Sequence, residues 1–127
     1  MKPRTIVCID DDPFYKGLYK DILEPAGYRV ISAMDAAEGH KAVINEKPDL
    51  ITLDVMMPEK AGFNDGFGLL KLLREDAATK TTPIIMISAL NDETDVKQAT
   101  KDGATDYLPK QDMTPKRLLT KIAKMLK

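Results

Sequence analysis

Thr5-Ile6-Val7-Cys8-Ile9-Asp10-Asp11-Asp12-Pro13 carries three structural instructions in one stretch. Its first five residues are apolar or β-branched without alternation, the pattern of a strand covered on both faces. Acids then end the run, and Asp12-Pro13 offers a helix N-cap followed by proline at the first helical position. The rest of the chain repeats this plan. Leu18, Ile22 and Leu23 form the buried stripe of a first helix that Gly27 closes. Tyr28 to Ile31 reads as a second strand, and Asp35-Ala36-Ala37-Glu38 as a capping box opening a helix that Pro48 stops. Leu50-Ile51-Thr52-Leu53 is a third strand running straight into Asp54, followed after a glycine-rich loop by a helix over Phe67, Leu69, Leu70, Leu72 and Leu73. Ile84 to Ile87 is a fourth strand reaching Ser88, and a more polar helix follows from Asp92 to Gly103. Asp106-Tyr107-Leu108 is a short fifth strand, and Thr114-Pro115 starts a last helix with Leu118, Leu119, Ile122 and Leu126 on its buried face. Five strands alternating with five helices predict an α/β fold, a single parallel sheet with helices on both faces.

The chain has 127 residues, 43% hydrophobic and 31% charged, which suits one domain with one sheet. At this size folding buries roughly two thirds of the unfolded surface, so neither disulfides nor a structural metal are needed. Cys8 is the only cysteine, so no intrachain disulfide can form, and its place inside a strand reads as core packing. With no long apolar run and no signal-like start, the expectation is a cytoplasmic protein without a membrane partner. The net charge of −1 predicts no direct nucleic-acid binding. The halves differ, with residues 1–65 at net −4 and residues 66–127 at net +3, and five bases fall between Lys116 and Lys127. Those bases read either as a solvated helix face or as a docking surface for an acidic partner. His40, alone in a polar helix, reads as an exposed residue.

In open parallel sheets the site lies at the carboxyl ends of the strands. That rule selects Asp10, Asp11, Asp12, Asp54, Ser88 and Lys110. Several carboxylates in one pocket raise each other's pKa and weaken the fold, and a hard divalent cation with oxygen ligands offsets the repulsion. Asp12, before Pro13, reads as a helix cap. A flavin or nucleotide phosphate would need a neutral, glycine-rich first loop, whereas this loop is acidic.

Ile9-Asp10-Asp11-Asp12-Pro13, Leu50 to Pro58, Ile84 to Asp92 and Gly103 to Lys110 together resemble the receiver domain of bacterial two-component response regulators. The resemblance runs from Arg4 to Lys127. It implies a flavodoxin-like strand order of 2-1-3-4-5 and one receiver domain over residues 1–127, with no effector domain in this chain. It implies a phosphorylation-dependent switch rather than an enzyme, limited to self-phosphorylation and slow autodephosphorylation. Asp54 would accept a phosphoryl group from a sensor histidine kinase or histidine phosphotransfer protein. Asp11 and Asp54 would ligate Mg²⁺ directly, with the Met56 backbone carbonyl as a third ligand, Asp10 acting through a water, and Mn²⁺ as a possible substitute. Lys110 would pair with Asp54 and then with the phosphoryl group, Ser88 would move to the new oxygens, and Tyr107 would turn inward. Output to an unknown protein or effector domain would pass through a face containing Lys97, Lys101, Tyr107, Lys116 and Lys121.

The sequence departs from the family pattern in three places. Residues between Pro58 and Asp65 make the loop after Asp54 about four residues longer, and it is expected to bulge outward as a mobile flap. Gln111 stands where the family has proline; a non-proline cis bond costs about 3 kcal/mol, so a trans Lys110–Gln111 peptide is expected. Met56 and Leu90 are apolar and could not orient an attacking water, which implies a long-lived phosphoryl-aspartate. Two other classes share parts of the pattern. A phosphorylation-independent pseudo-receiver would have lost part of the acid, hydroxyl and lysine set. A metal-dependent phosphohydrolase would want an acid where Met56 stands.

Overall fold

The computed structural model describes residues 2–56, 66–89 and 92–126. Its elements follow in strict alternation: β1 (Thr5–Ile9), α1 (Pro13–Leu23), β2 (Arg29–Ala33), α2 (Ala36–Glu46), β3 (Leu50–Leu53), α3 (Gly66–Glu75), β4 (Ile84–Ser88), α4 (Glu93–Lys101), β5 (Asp106–Pro109) and α5 (Pro115–Met125). A 3₁₀ turn, Lys110–Asp112, joins β5 to α5. All pairings are parallel, as the alternation of strands and helices predicts, and the strand order is β2-β1-β3-β4-β5, as the resemblance implies.

The caps explain why the helices start where they do. Asp12 accepts from the Phe14 amide at 2.9 Å with Pro13 at the first helical position, and Asp35 accepts from the Glu38 amide at 2.7 Å. Thr114 caps α5 by accepting from the Arg117 amide at 3.1 Å. The second strand lies one to two residues later than its apolar run suggests. It is an edge strand that is only partly covered, so side-chain hydrophobicity marks its limits poorly.

Alternation along the central strands sorts side chains into two layers. Val7, Ile9, Ile51, Leu53, Ile84 and Met86 pack on one face against Val43 of α2, Leu69, Leu70 and Leu73 of α3, and Ala99 of α4. Ile6, Cys8, Leu50, Ile85 and Ile87 pack on the other face against Tyr19, Ile22 and Leu23 of α1 and Leu118 and Ile122 of α5. Both layers are apolar, which is why β1, β3 and β4 read as unbroken hydrophobic runs.

Arg74, near the end of α3, ties the amino-terminal edge of β4 and β5 together. Its guanidinium donates to the carbonyls of Gly103 at 2.7 Å, Thr79 at 3.0 Å and Thr82 at 2.7 Å. Gly103 has φ of +104°, and a Cβ there would lie 2.8 Å from the Arg74 side chain, so only glycine permits both the turn and the contact. Among the described residues no peptide bond is cis, and Lys110–Gln111 is therefore trans, as expected from Gln111.

Cys8 is buried in β1. Burial pushes its thiol up to about 12, and the neighbouring Thr52 hydroxyl, which makes no full hydrogen bond, offsets only part of that. A raised folded-state pKa means stability that is fully present below the thiol's ordinary value of 9.0 and lost as pH climbs toward about 12. The native chain should therefore resist a thiol reagent such as Ellman's, with one thiol titrating once denaturant is added, and Cys8→Ala should lessen the alkaline loss of stability. Stoichiometric labelling of the native chain would contradict this placement.

Candidate functional site

The carboxyl edge of the sheet gathers the polar residues that the strand-end rule selects. Asp10 and Asp54 each extend the ladder one residue past their strands: the Asp10 amide donates to the Ala33 carbonyl at 3.0 Å and the Asp54 amide to the Ile9 carbonyl at 2.9 Å. Backbone pairing thus fixes both acids before any side chain is considered. Ser88 is the last residue of β4 and sits in register with Pro109 of β5, which delivers Lys110 one residue further on.

The side chains converge. Lys110 Nζ lies 2.9 Å from Asp10 Oδ2 and 3.2 Å from Asp54 Oδ2. Asp10 and Asp54 are only 2% and 3% exposed, so both charges sit in a medium where water screens little. Asp11 is exposed and offers a third carboxylate, and one oxygen from each acid lies within 4.8 Å of the others. Asp54 Oδ1 accepts from the Met56 amide at 3.1 Å, and Asp10 Oδ1 from the Asp12 amide at 2.9 Å. Asp10 Oδ2 is within ion-pair distance of the ammonium, but among the described residues it has no hydrogen-bond partner. The Met56 side chain points into solvent.

Electrostatics follow from this packing. Burial raises the Asp10 carboxyl; the Lys110 ammonium and the Asp12 amide pull it down, and Asp54 pushes it up again. Burial works to lower the Lys110 ammonium, yet Asp10 and Asp54 outweigh it and hold the lysine above its usual range. Three acids facing one ammonium leave negative charge uncompensated. A buried, incompletely partnered carboxylate oxygen beside two further carboxylates fits a hard divalent cation, and the donor set is all oxygen.

Ser88 is fully buried. Tyr107 is half-buried; burial raises its phenol, a hydrogen bond with Ser88 lowers it, and Asp95 and Asp54 raise it further. Gly66 opens α3 directly behind Asp54, with its amide on the Val55 carbonyl at 3.0 Å. A Cβ at Gly66 would lie 2.0 Å from the Asp54 carbonyl oxygen, so this approach of helix to acid requires glycine.

Other expectations fare differently. Asp12 is a helix cap, as read from Pro13. His40 is half-buried on α2 rather than exposed. Two of the bases on the expected output face are already paired, Lys121 with Asp106 at 2.6 Å and Lys97 with Glu93 at 3.2 Å. Lys116, Arg117 and Lys124 line a groove beside α5 with that same Asp106–Lys121 pair. The expected flap between Pro58 and Asp65, and Leu90, lie outside the described residues. Sequence reading missed Gly66, Arg74 and Tyr15, whose ring carries Lys110 Nζ 4.0 Å from its centroid. The spacing Asp65-Gly66 ahead of the Leu69, Leu70 and Leu73 stripe could have marked the first of these.

This fold and acid–lysine constellation define a receiver. The chain belongs to the response regulator receiver domain family, whose model matches residues 6–123, and so to the two-component regulatory systems. It is 41% identical over 108 residues to the DNA-binding dual master transcriptional regulator RpaA of Synechocystis, covering 85% of this chain and 43% of that protein. It is 32% identical over its whole length to the phosphate regulon transcriptional regulatory protein PhoB of Pseudomonas aeruginosa, of which it covers 53%. The crystal structure of a putative response regulator from Chloroflexus aurantiacus superposes with a TM-score of 0.89 at 32% identity, covering 98% of both chains. The chain thus spans about half the length of the curated relatives it matches.

The relatives correct one expectation. A chain whose relatives include a DNA-binding regulator cannot be held to have no direct nucleic-acid partner. The net charge describes the field of these 127 residues, whereas the relatives are about twice as long and the match covers 43% of RpaA and 53% of PhoB. Among the described residues no helix is long and apolar enough to cross a membrane.

Lys110→Met would leave Asp10 and Asp54 facing each other in the interior. In metal-free buffer it should lower unfolding stability by about 3 kcal/mol, and millimolar Mg²⁺ should recover part of the loss. Because the folded lysine pKa is raised, its stabilisation is fully present below the ordinary lysine value and disappears as pH rises through the folded value. The variant should therefore lose part of the wild type's alkaline destabilisation. Urea unfolding across pH, with and without Mg²⁺, checks both; equal stability of the two proteins in metal-free buffer would show that the lysine does not neutralise these acids.

Proposed function

We propose that residues 1–127 form one receiver domain that acts as a phosphorylation-dependent switch, with Asp54 as the phosphoryl acceptor. The observation that carries this reading is the buried Asp54 carboxylate at a strand end, held by Lys110 at 3.2 Å within a cluster of three acids. The donor is a phosphohistidine of a sensor histidine kinase or phosphotransfer protein. Asp11, Asp54 and the Met56 carbonyl would hold Mg²⁺, with Asp10 acting through a water and Mn²⁺ able to substitute. A cation held there would neutralise the carboxylates and the charge on the transferring group.

The chain's own residues then have separable tasks. One Asp54 oxygen attacks phosphorus, a phosphorus–oxygen bond forms, and the phosphorus–nitrogen bond to the donor imidazole breaks, its electron pair staying on the imidazole. The Met56 amide on Oδ1 and the ladder bond on the Asp54 amide keep the carboxylate from swinging. Lys110 passes from the carboxylate to the phosphoryl oxygens, so its charge is in place as negative charge accumulates. The Ser88 hydroxyl donates to another phosphoryl oxygen, and Tyr107 moves with it. Met56, exposed and apolar beside the acceptor, has no group to orient water for hydrolysis. The names of RpaA and PhoB support transcription control as the output, so the event switched is DNA binding by the protein that carries this domain.

Incubation with a small acyl phosphate and Mg²⁺ should add one phosphoryl group to the intact mass. Asp54→Ala and a metal-free sample should gain none. Addition to Asp54→Ala, or none to a folded wild type, would overturn the assignment and favour a phosphorylation-independent binding module. The modified protein should keep its label after the donor is removed, and rapid loss would sink the account of Met56.

A further inference from the structure

We propose that Tyr15 is a positioning residue for Lys110, an aromatic wall that holds the ammonium at the point where it bridges Asp10 and Asp54. The inference rests on the receiver reading for its effect on phosphorylation, while the placement itself stands on geometry. Lys110 Nζ lies 4.0 Å from the Tyr15 ring centroid, well inside the distance at which a ring face attracts a cation. The same nitrogen is 2.9 Å from Asp10 Oδ2 and 3.2 Å from Asp54 Oδ2. The ammonium therefore meets two carboxylates and one π face.

A lysine needs such a wall. Its four-carbon stem has many rotamers, and its head is a compact, strongly hydrated charge that exchanges partners readily. Two acids alone leave it free to favour either one or to turn toward water. A ring face occupies the space water would take, strengthens the ion pairs by excluding solvent, and asks for no hydrogen bond in return.

The ring is itself held. Asp12 caps α1 and Pro13 sets its first residue, which fixes Tyr15 in the opening turn beside the acids. Tyr19 lies four residues on, on the same helix face, and is buried in the core layer under α1. The Tyr15 and Tyr19 rings are 6.0 Å apart, and Phe14 meets Tyr15 edge-on at 5.2 Å and 88°. Tyr15 is thus braced by a buried ring and flanked by an exposed one, and it transmits the rigidity of the core to the tip of Lys110.

Two independent readouts test this on the full chain. The first is NMR of the Lys110 ε-methylene in protein that has seen no phosphodonor. A ring face shields a group above it, so the resonance should lie upfield in the wild type and in Tyr15→Phe, and return to the ordinary lysine position in Tyr15→Leu. The second is the rate of phosphorylation by a small acyl phosphate with saturating Mg²⁺. Tyr15→Leu should slow it about five- to tenfold, within the range a partly desolvated cation–π contact supplies, and Tyr15→Phe should react at close to the wild-type rate. In a Lys110→Ala background, Tyr15→Leu should slow the reaction no further. An unshifted lysine signal in the wild type, a Tyr15→Leu rate equal to wild type, or equal slowing with and without Lys110 would each overturn the proposal; the last would assign the ring to the fold instead. If the wild type takes no phosphoryl group while the ring-dependent shift is present, the receiver reading fails and the placement of Lys110 by Tyr15 stands.

Discussion

Two buried carboxylates that share one ammonium form the constraint to which the rest of this structure answers. Asp10 and Asp54 stand at the ends of neighbouring central strands, so parallel pairing of β1 with β3 brings two like charges together away from water. Lys110 can reach both only because β5 pairs with β4 in a register that sets Pro109 beside Ser88. The pairings from β1 to β5 therefore act as one alignment. A slip of one residue in any of them would turn an acid, the serine or the lysine to the wrong face and push an apolar side chain into the cluster. The apolar layers enforce that alignment, since each central strand has a hydrophobic set on both faces.

Tolerances at the site are small for the same reason. Gly66 leaves no room for a Cβ against the Asp54 carbonyl, so α3 begins at van der Waals contact with the backbone that presents the acid. At the opposite edge of the sheet, the Arg74 fork holds the segments entering β4 and β5. Arginine suits this place because it offers several donors in one plane to several carbonyls, which a lysine could not do. Both devices position strands and helices rather than make chemistry, yet the distances around Lys110 depend on them.

Most of this was legible in the sequence because the chain punctuates itself. Each strand that contributes to the site ends in a polar residue or runs straight into one, each helix but α3 starts with a recognisable cap or proline, and the runs between are apolar enough to demand two covered faces. Where the reading shifted, a physical reason is visible. β2 is an edge strand, so its ends are set by ladder bonds more than by hydrophobicity. The turn at Lys110–Asp112 is three residues of 3₁₀ geometry, too short to leave a periodic signal. Tyr15 escaped notice because spacing along a helix does not tell which strand end its ring will meet across the sheet edge. The basic count on α5 overstated the free charge, since Lys121 is spent on Asp106. The exclusion of DNA failed for a different reason: net charge is a poor guide to a partner, and the relatives of this chain include a DNA-binding regulator.

A switch requires that its ligand interact differently with two arrangements of the same atoms. On the proposed reading, phosphorylation replaces a singly charged carboxylate by a group of nearly two charges with three strong acceptor oxygens. On that reading Lys110, beside Asp54 at 3.2 Å, and Ser88 are the donors that would meet them. Ser88, however, is fully buried and already engaged with Tyr107. A buried hydroxyl has one proton to donate, so turning it toward a phosphoryl oxygen changes the bond it shares with the phenol. Tyr107 is half-buried and must then find a new partner or a new rotamer, and unlike Ser88 it has surface on which to do so. On the proposed reading, the exchange of one hydrogen bond for another would carry a change of charge at Asp54 out to β5, through the Ser88–Tyr107 contact that exists before any phosphoryl group arrives.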